Sequence, residues 1–106
     1  MTRTTKVRLS DEYITVIKES VVRYFGSRVR VLLFGSRVDI HKKGGDIDLL
    51  VLTSLEKNEL FKARIATLAR IHSILGEQKI DIIPWNPAIG EAPLVVQEAL
   101  EKGVEL

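Results

Sequence analysis

Cysteine is absent from the 106 residues, so the chain has neither a disulfide framework nor a thiolate nucleophile. The two isolated histidines, His41 and His72, cannot build a zinc site alone, and any metal must be held mainly by oxygen. Long apolar runs are also missing. Stretches such as Val31-Leu32-Leu33-Phe34 and Leu49-Leu50-Val51-Leu52 fall far short of the ~20 residues that span a bilayer. Met1-Thr2-Arg3-Thr4-Thr5-Lys6 does not lead into a continuous apolar stretch, so no secretory signal is expected and the expected location is cytoplasmic. Net charge is small, at +2, too little to imply binding to a nucleic-acid backbone. The basic excess is uneven, with seven Lys/Arg against three Asp/Glu in residues 1–30. No helix-turn-helix or concentrated basic face is evident, so direct sequence-specific DNA binding is not expected.

What is present describes an ordinary folded domain: 45% hydrophobic residues, 28% charged, and a mean hydropathy of +0.09. A chain of this size is expected to form a single domain, 1–106, burying roughly 60–70% of its unfolded surface. Ser10 is placed to cap a helix in which Ile14, Ile17, Val21 and Phe25 recur at helical spacing, with Gly26 at its end. Residues 28–34 alternate and then become continuously apolar, as a strand entering the middle of a sheet would. After a polar loop containing Lys42 and Lys43, residues 46–52 read as a second strand. Leu60, Phe61, Ile65, Leu68, Ile71 and Leu75 trace a helix from about Leu55 to Leu75, closed by Gly76. Residues 79–83 read as a third strand halted by Pro84 and Pro87. A short helix, Leu94 to Lys102, precedes Gly103 and a small terminal strand. This order implies a mixed α/β or α+β sheet.

Phe25-Gly26-Ser27-Arg28-Val29 recurs nine residues later as Phe34-Gly35-Ser36-Arg37-Val38. The first copy closes a helix. The second follows a buried strand, where free backbone N–H groups and a hydroxyl can face a phosphate, so only the second is a candidate site. The strongest chemical feature is the pair Asp46 and Asp48. Residues two apart on a strand share a face, so both carboxylates point together with Leu50 and Leu52. Two like charges so close repel unless a cation neutralises them, and Mg²⁺ favours one or two carboxylates plus substrate phosphates. Taken alone, an Asp-x-Asp pair is better explained as two acids at the water-exposed start of a strand, and the features that follow reverse that balance. Asp81, between Ile80 and Ile82 on another apolar strand, can complete a carboxylate triplet if its strand neighbours the first. Gly35 permits close backbone approach and Ser36 can donate to a phosphate oxygen, while Arg37, Lys42 and Lys43 can screen polyphosphate charge. Trp85 suits stacking on a base or packing of the strand end. His72 reads as a packing residue, and His41 as exposed.

Leu33-Phe34-Gly35-Ser36-Arg37, then Gly45-Asp46-Ile47-Asp48-Leu49-Leu50-Val51, with Asp81 later, resembles the Gly-Ser…Asp-x-Asp…Asp signature of the DNA polymerase β superfamily of nucleotidyltransferases. More narrowly, the chain is similar to the MNT-type minimal nucleotidyltransferases, antitoxins often encoded beside HEPN-domain partners, and the resemblance runs from Val29 to about Leu106. It implies an α+β fold like the polymerase β palm, a small mixed sheet flanked by helices. It further implies catalytic Asp46, Asp48 and Asp81 binding two Mg²⁺ ions, with Gly35, Ser36 and Arg37 on the nucleotide. The implied reaction passes a nucleoside monophosphate, AMP from ATP, to a hydroxyl of a HEPN-domain protein. Transfer to a small molecule such as an aminoglycoside, or a non-catalytic antitoxin acting by binding alone, are the other readings. The 106 residues are expected to suffice for the catalytic sheet and its helices and to leave no room for the extra helical domain with which larger members grip substrate, an expectation that also suggests a partner.

Overall fold

A computed structural model describes residues 7–38 and 45–106. The loop lysines Lys42 and Lys43, along with His41 and Met1 to Lys6, lie outside the described residues.

Helix α1 (Asp11–Phe25) starts where the sequence places it, with the Ser10 hydroxyl accepting from the Tyr13 N–H at 3.2 Å. Ile14, Ile17, Val21 and Phe25 are all buried, each apolar side chain contributing roughly 1.5–3 kcal/mol. Strand β1 (Arg30–Phe34) leads directly into a 3-10 turn, Gly35–Val38. Strand β2 (Ile47–Leu52) starts one residue later than expected, so Asp46 immediately precedes it.

Helix α2 (Lys57–Leu75) starts after the expected Leu55. The delay has a cause: the Leu55 N–H donates to the Thr53 hydroxyl, and the Asn86 amide donates to the Leu55 carbonyl, fixing a turn before the helix. Its buried residues are Ala63, Thr67 and Ile71, whereas Phe61 and Ile65 stand exposed. The apolar stripe read from the sequence is therefore rotated, because small Ala63 and Thr67 let α2 settle closely against its neighbours. Thr67 meets its own hydrogen-bonding need by donating to the Ala63 carbonyl at 2.7 Å.

Strand β3 (Ile80–Trp85) runs through Pro84 rather than stopping before it. The sheet order explains this. The strands lie β3-β2-β1-β4, with β4 being Val104–Glu105, so β3 is an edge strand. β2 pairs with β3 in parallel and with β1 antiparallel. The Ile47 N–H donates to the Lys79 carbonyl and that of Thr53 to the Trp85 carbonyl. Odd-numbered carbonyls of β3 thus face β2, and the backbone groups of Ile80, Ile82 and Pro84 face the open edge. Pro84 sits where the ladder needs no N–H.

The fold is α+β: a four-stranded mixed sheet with three helices. One face carries Val31, Leu33, Ile47, Leu49, Val51 and Ile82 into a core with the apolar stripes of α1 and α2. The other carries Leu32, Leu50, Leu52, Ile83 and Trp85 against Val96 and Ala99 of helix α3 (Leu94–Lys102). By the period of two, Phe34, Asp48 and Asp81 belong to this second face. Trp85 packs at the strand end, one of its two expected roles. β4 closes the far edge beside β1, helped by an exposed Arg30–Glu105 ion pair at 2.8 Å. Among the described residues, no helix is long and apolar enough to cross a membrane.

Candidate active site

Asp48 is the second residue of β2 and lies between Phe34, the last residue of β1, and Asp81, the second residue of β3. Adjacent strands run about 4.8 Å apart, so the parallel register sets Asp48 and Asp81 side by side. Asp46 enters from the residue before β2. The sheet thus brings the three aspartates to one end of the face that α3 covers elsewhere. Partial burial, then the charges of Asp46 and Asp81, push the Asp48 carboxyl above its ordinary value. Asp46 and Asp81 themselves are exposed.

The Gly-Ser turn meets this group through two close approaches. Gly35 has φ +77°, and a Cβ built on it would stand 2.5 Å from Asp48 Oδ2. Only glycine adopts this backbone and leaves the carboxylate its place. Gly45, at φ +90°, lies so near Ser36 that a Cβ there would collide with the Ser36 hydroxyl oxygen. The two halves of the motif therefore interlock, glycine against side chain in each direction. Nine residues separate Ser36 from Asp46, yet the fold seats Ser36 against the residue before that aspartate.

Arg37 braces this turn. Its Nε donates to the Gly45 carbonyl at 3.3 Å and its Nη1 to the Arg8 carbonyl at 3.0 Å. The Arg8 N–H in turn donates to the Arg37 carbonyl, and Arg8 Nη2 reaches the Ser36 carbonyl at 3.4 Å. Two nitrogens of the guanidinium expected on phosphate thus serve the loop's own backbone. Gly45 was part of the motif read from the sequence, but its close approach to Ser36 was not foreseen, and Arg8 gave no sign at all.

Arg64 of α2 was also missed. Its Nε donates to the outward-facing Ile82 carbonyl at 2.8 Å, and its Nη2 pairs with Asp81 Oδ1 at 3.3 Å. A sign was present, since Arg64 interrupts an apolar stripe midway between Leu60 and Leu68. His72 is a structural residue, as expected, with its Nε2 at 3.0 Å from the Gln78 carbonyl.

A metal fits the chemistry of these donors. Three carboxylates, hard oxygen donors, lie at one end of the sheet, and Asp48 bears both desolvation and like charge, a load that a divalent cation would relieve. Among the described residues, however, no three acids already stand in metal-holding geometry.

A family model of the nucleotidyltransferase domain matches residues 14–106, and the chain belongs to that family. Its members carry out nucleotidyl transfer and in general use a nucleoside triphosphate and a divalent metal. No curated protein matches the chain significantly.

Proposed function

We propose that the protein transfers AMP from ATP to a hydroxyl of a partner protein, and that the partner is a HEPN-domain toxin for which the protein is the antitoxin. The observation that carries the catalytic part is the interlocking of Gly35 and Ser36 with the three-aspartate end of the sheet. Asp46, Asp48 and Asp81 would hold two Mg²⁺ ions, which when bound supply positive charge for the attacking and leaving oxygens. The chain's own groups do the rest. The Ser36 hydroxyl and the backbone of the Gly35–Ser36 turn hold the departing phosphates, and Arg37 keeps that turn closed on Gly45. Asp81, on the open edge of the sheet, orients the acceptor hydroxyl and takes its proton. A bond then forms from the acceptor oxygen to the α-phosphorus, the bond to the β-phosphate oxygen breaks, and pyrophosphate leaves.

A protein acceptor is favoured by Phe61 and Ile65, four residues apart on α2 and 64% and 48% exposed, which flank the arginine that touches Asp81. Retention of all three acids argues against a module that acts by binding alone.

The test incubates the protein and its neighbouring gene's product with α-labelled ATP and Mg²⁺. A nucleotide adduct on the partner, found by mass spectrometry, is expected. Label on an aminoglycoside but never on the partner would support the small-molecule reading. Inhibition of the partner with no adduct would leave binding alone.

A further inference from the structure

One ion pair at the site has no part in the reaction above. Arg64 projects from α2, which packs on the face opposite to that of Asp48 and Asp81, yet it pairs with Asp81. It reaches that carboxylate around the edge of the sheet. Its fixed point is the Ile82 carbonyl, 2.8 Å from Nε, which the strand alternation places on the outer side of β3. Asp48 lies on the inner side, across the β2–β3 ladder. The guanidinium and Asp48 therefore flank Asp81 from opposite directions, one attracting it and the other repelling it.

We propose that Arg64 is a positioning residue that draws the Asp81 carboxylate toward the open edge, away from Asp46 and Asp48, and yields it when a divalent cation binds. This rests on the metal-dependent reading above. Three observations agree with it. Asp48 and Asp81 are direct register partners, yet the hydrogen bond that Asp81 Oδ1 accepts comes from Arg64, from the outer side of β3. The Arg64–Asp81 contact is a single one at 3.3 Å, between side chains 33% and 57% exposed, so the pair is weak enough for a cation to break. The shorter bond to the Ile82 carbonyl is independent of Asp81, so the guanidinium stays at hand when the carboxylate leaves. Arg64 balances a charge that would otherwise face Asp48 unopposed.

The test is a double-mutant cycle with Mn²⁺ as the probe, free Mn²⁺ being counted by its electron paramagnetic resonance signal. Wild type, Arg64→Gln, Asp81→Asn and the double variant are titrated near 0.15 M salt, which screens distant charges. Arg64→Gln is expected to bind Mn²⁺ roughly two- to five-fold more tightly than wild type, the worth of an exposed ion pair. In the Asp81→Asn background the same change should have no effect. Metal-free melting temperature is read alongside: loss of the Ile82 bond should lower it in both backgrounds, and loss of the ion pair should lower it slightly further where Asp81 is present. Arg64→Met, which keeps the aliphatic stem, repeats the comparison should the glutamine variant fold poorly. Unchanged Mn²⁺ affinity would reduce Arg64 to a brace for the edge strand and overturn the proposal. Weaker binding would show that Arg64 holds Asp81 ready for the metal, and equal tightening in both backgrounds would show a general charge effect; either overturns it. A wild-type protein that binds no Mn²⁺ would instead remove the metal-dependent reading itself.

Discussion

Phe25-Gly26-Ser27-Arg28-Val29 and Phe34-Gly35-Ser36-Arg37-Val38 are the same five residues in two places, and the fold uses them differently. Both glycines have positive φ, +99° and +77°. A Cβ on Gly26 would meet nothing within 4 Å, whereas one on Gly35 would press on Asp48. Ser27 and Arg28 line an open groove of about 620 Å³ at the opposite end of β1, while Ser36 lies against Gly45 and Arg37 is bonded to Gly45 and Arg8. The five residues supply a turn with a hydroxyl; the strand before it and the carboxylates beside it make that turn a candidate site.

Replacing the two glycines in parallel should separate the copies most sharply. Gly35→Ala is expected to lower transfer about 100-fold or more, because displacing Asp48 by a fraction of an ångström misplaces the reacting groups. Gly26→Ala should keep activity within about twofold. Both should lose roughly 1–3 kcal/mol of stability from the positive φ, so equal activity losses would break the distinction. The serines come next. Ser36→Ala should raise the KM for ATP about tenfold through loss of a hydrogen bond to charged phosphate, with Ser27→Ala unchanged in steady-state kinetics. The arginines differ in stability. Arg37→Ala loses two donors to backbone carbonyls and should cost about 1–2 kcal/mol in urea unfolding, against less than about 0.5 for exposed Arg28→Ala.

The smallest effect concerns Asp48 in metal-free protein. A carboxyl raised in the folded state contributes stability that is present below its unfolded pKa and lost as pH rises through the folded value. Asp48→Asn should therefore melt about 2 °C higher than wild type near neutral pH, the effect being small because solvent screens a partly exposed group. At pH 3 the difference should vanish. Adding Mg²⁺ should raise the melting temperature of wild type and not that of Asp48→Asn; a rise in both would place the ion elsewhere.

Much of this site was legible because its signals are local. A period of two puts Asp46 and Asp48 together with Leu50, and a glycine after an apolar strand announces a turn. The helix of Ile14, Ile17, Val21 and Phe25 was readable for the same reason, from its own spacing. What escaped depended on which strand lies beside which. Pro84 stops a central strand but not an edge one, and only the order β3-β2-β1-β4 tells the two apart. Phe61 and Ile65 matched helical spacing, yet the face that packs is chosen by small Ala63 and Thr67. That Arg37 also braces the turn was hidden because its two backbone partners lie 8 and 29 residues away in sequence. Arg64 disclosed itself only as a charge in an apolar stripe, and its meaning came from the open edge of β3.

The central claim is that the Gly35–Ser36 turn and the three aspartates form one site for nucleotidyl transfer. Its most direct test measures Mg²⁺-dependent transfer from α-labelled ATP to the partner protein by wild type and by folded Asp48→Asn, with melting curves run on both. Transfer by wild type and none above background by Asp48→Asn, at a melting temperature equal or slightly higher, is the expected result. Full transfer by Asp48→Asn would contradict the account.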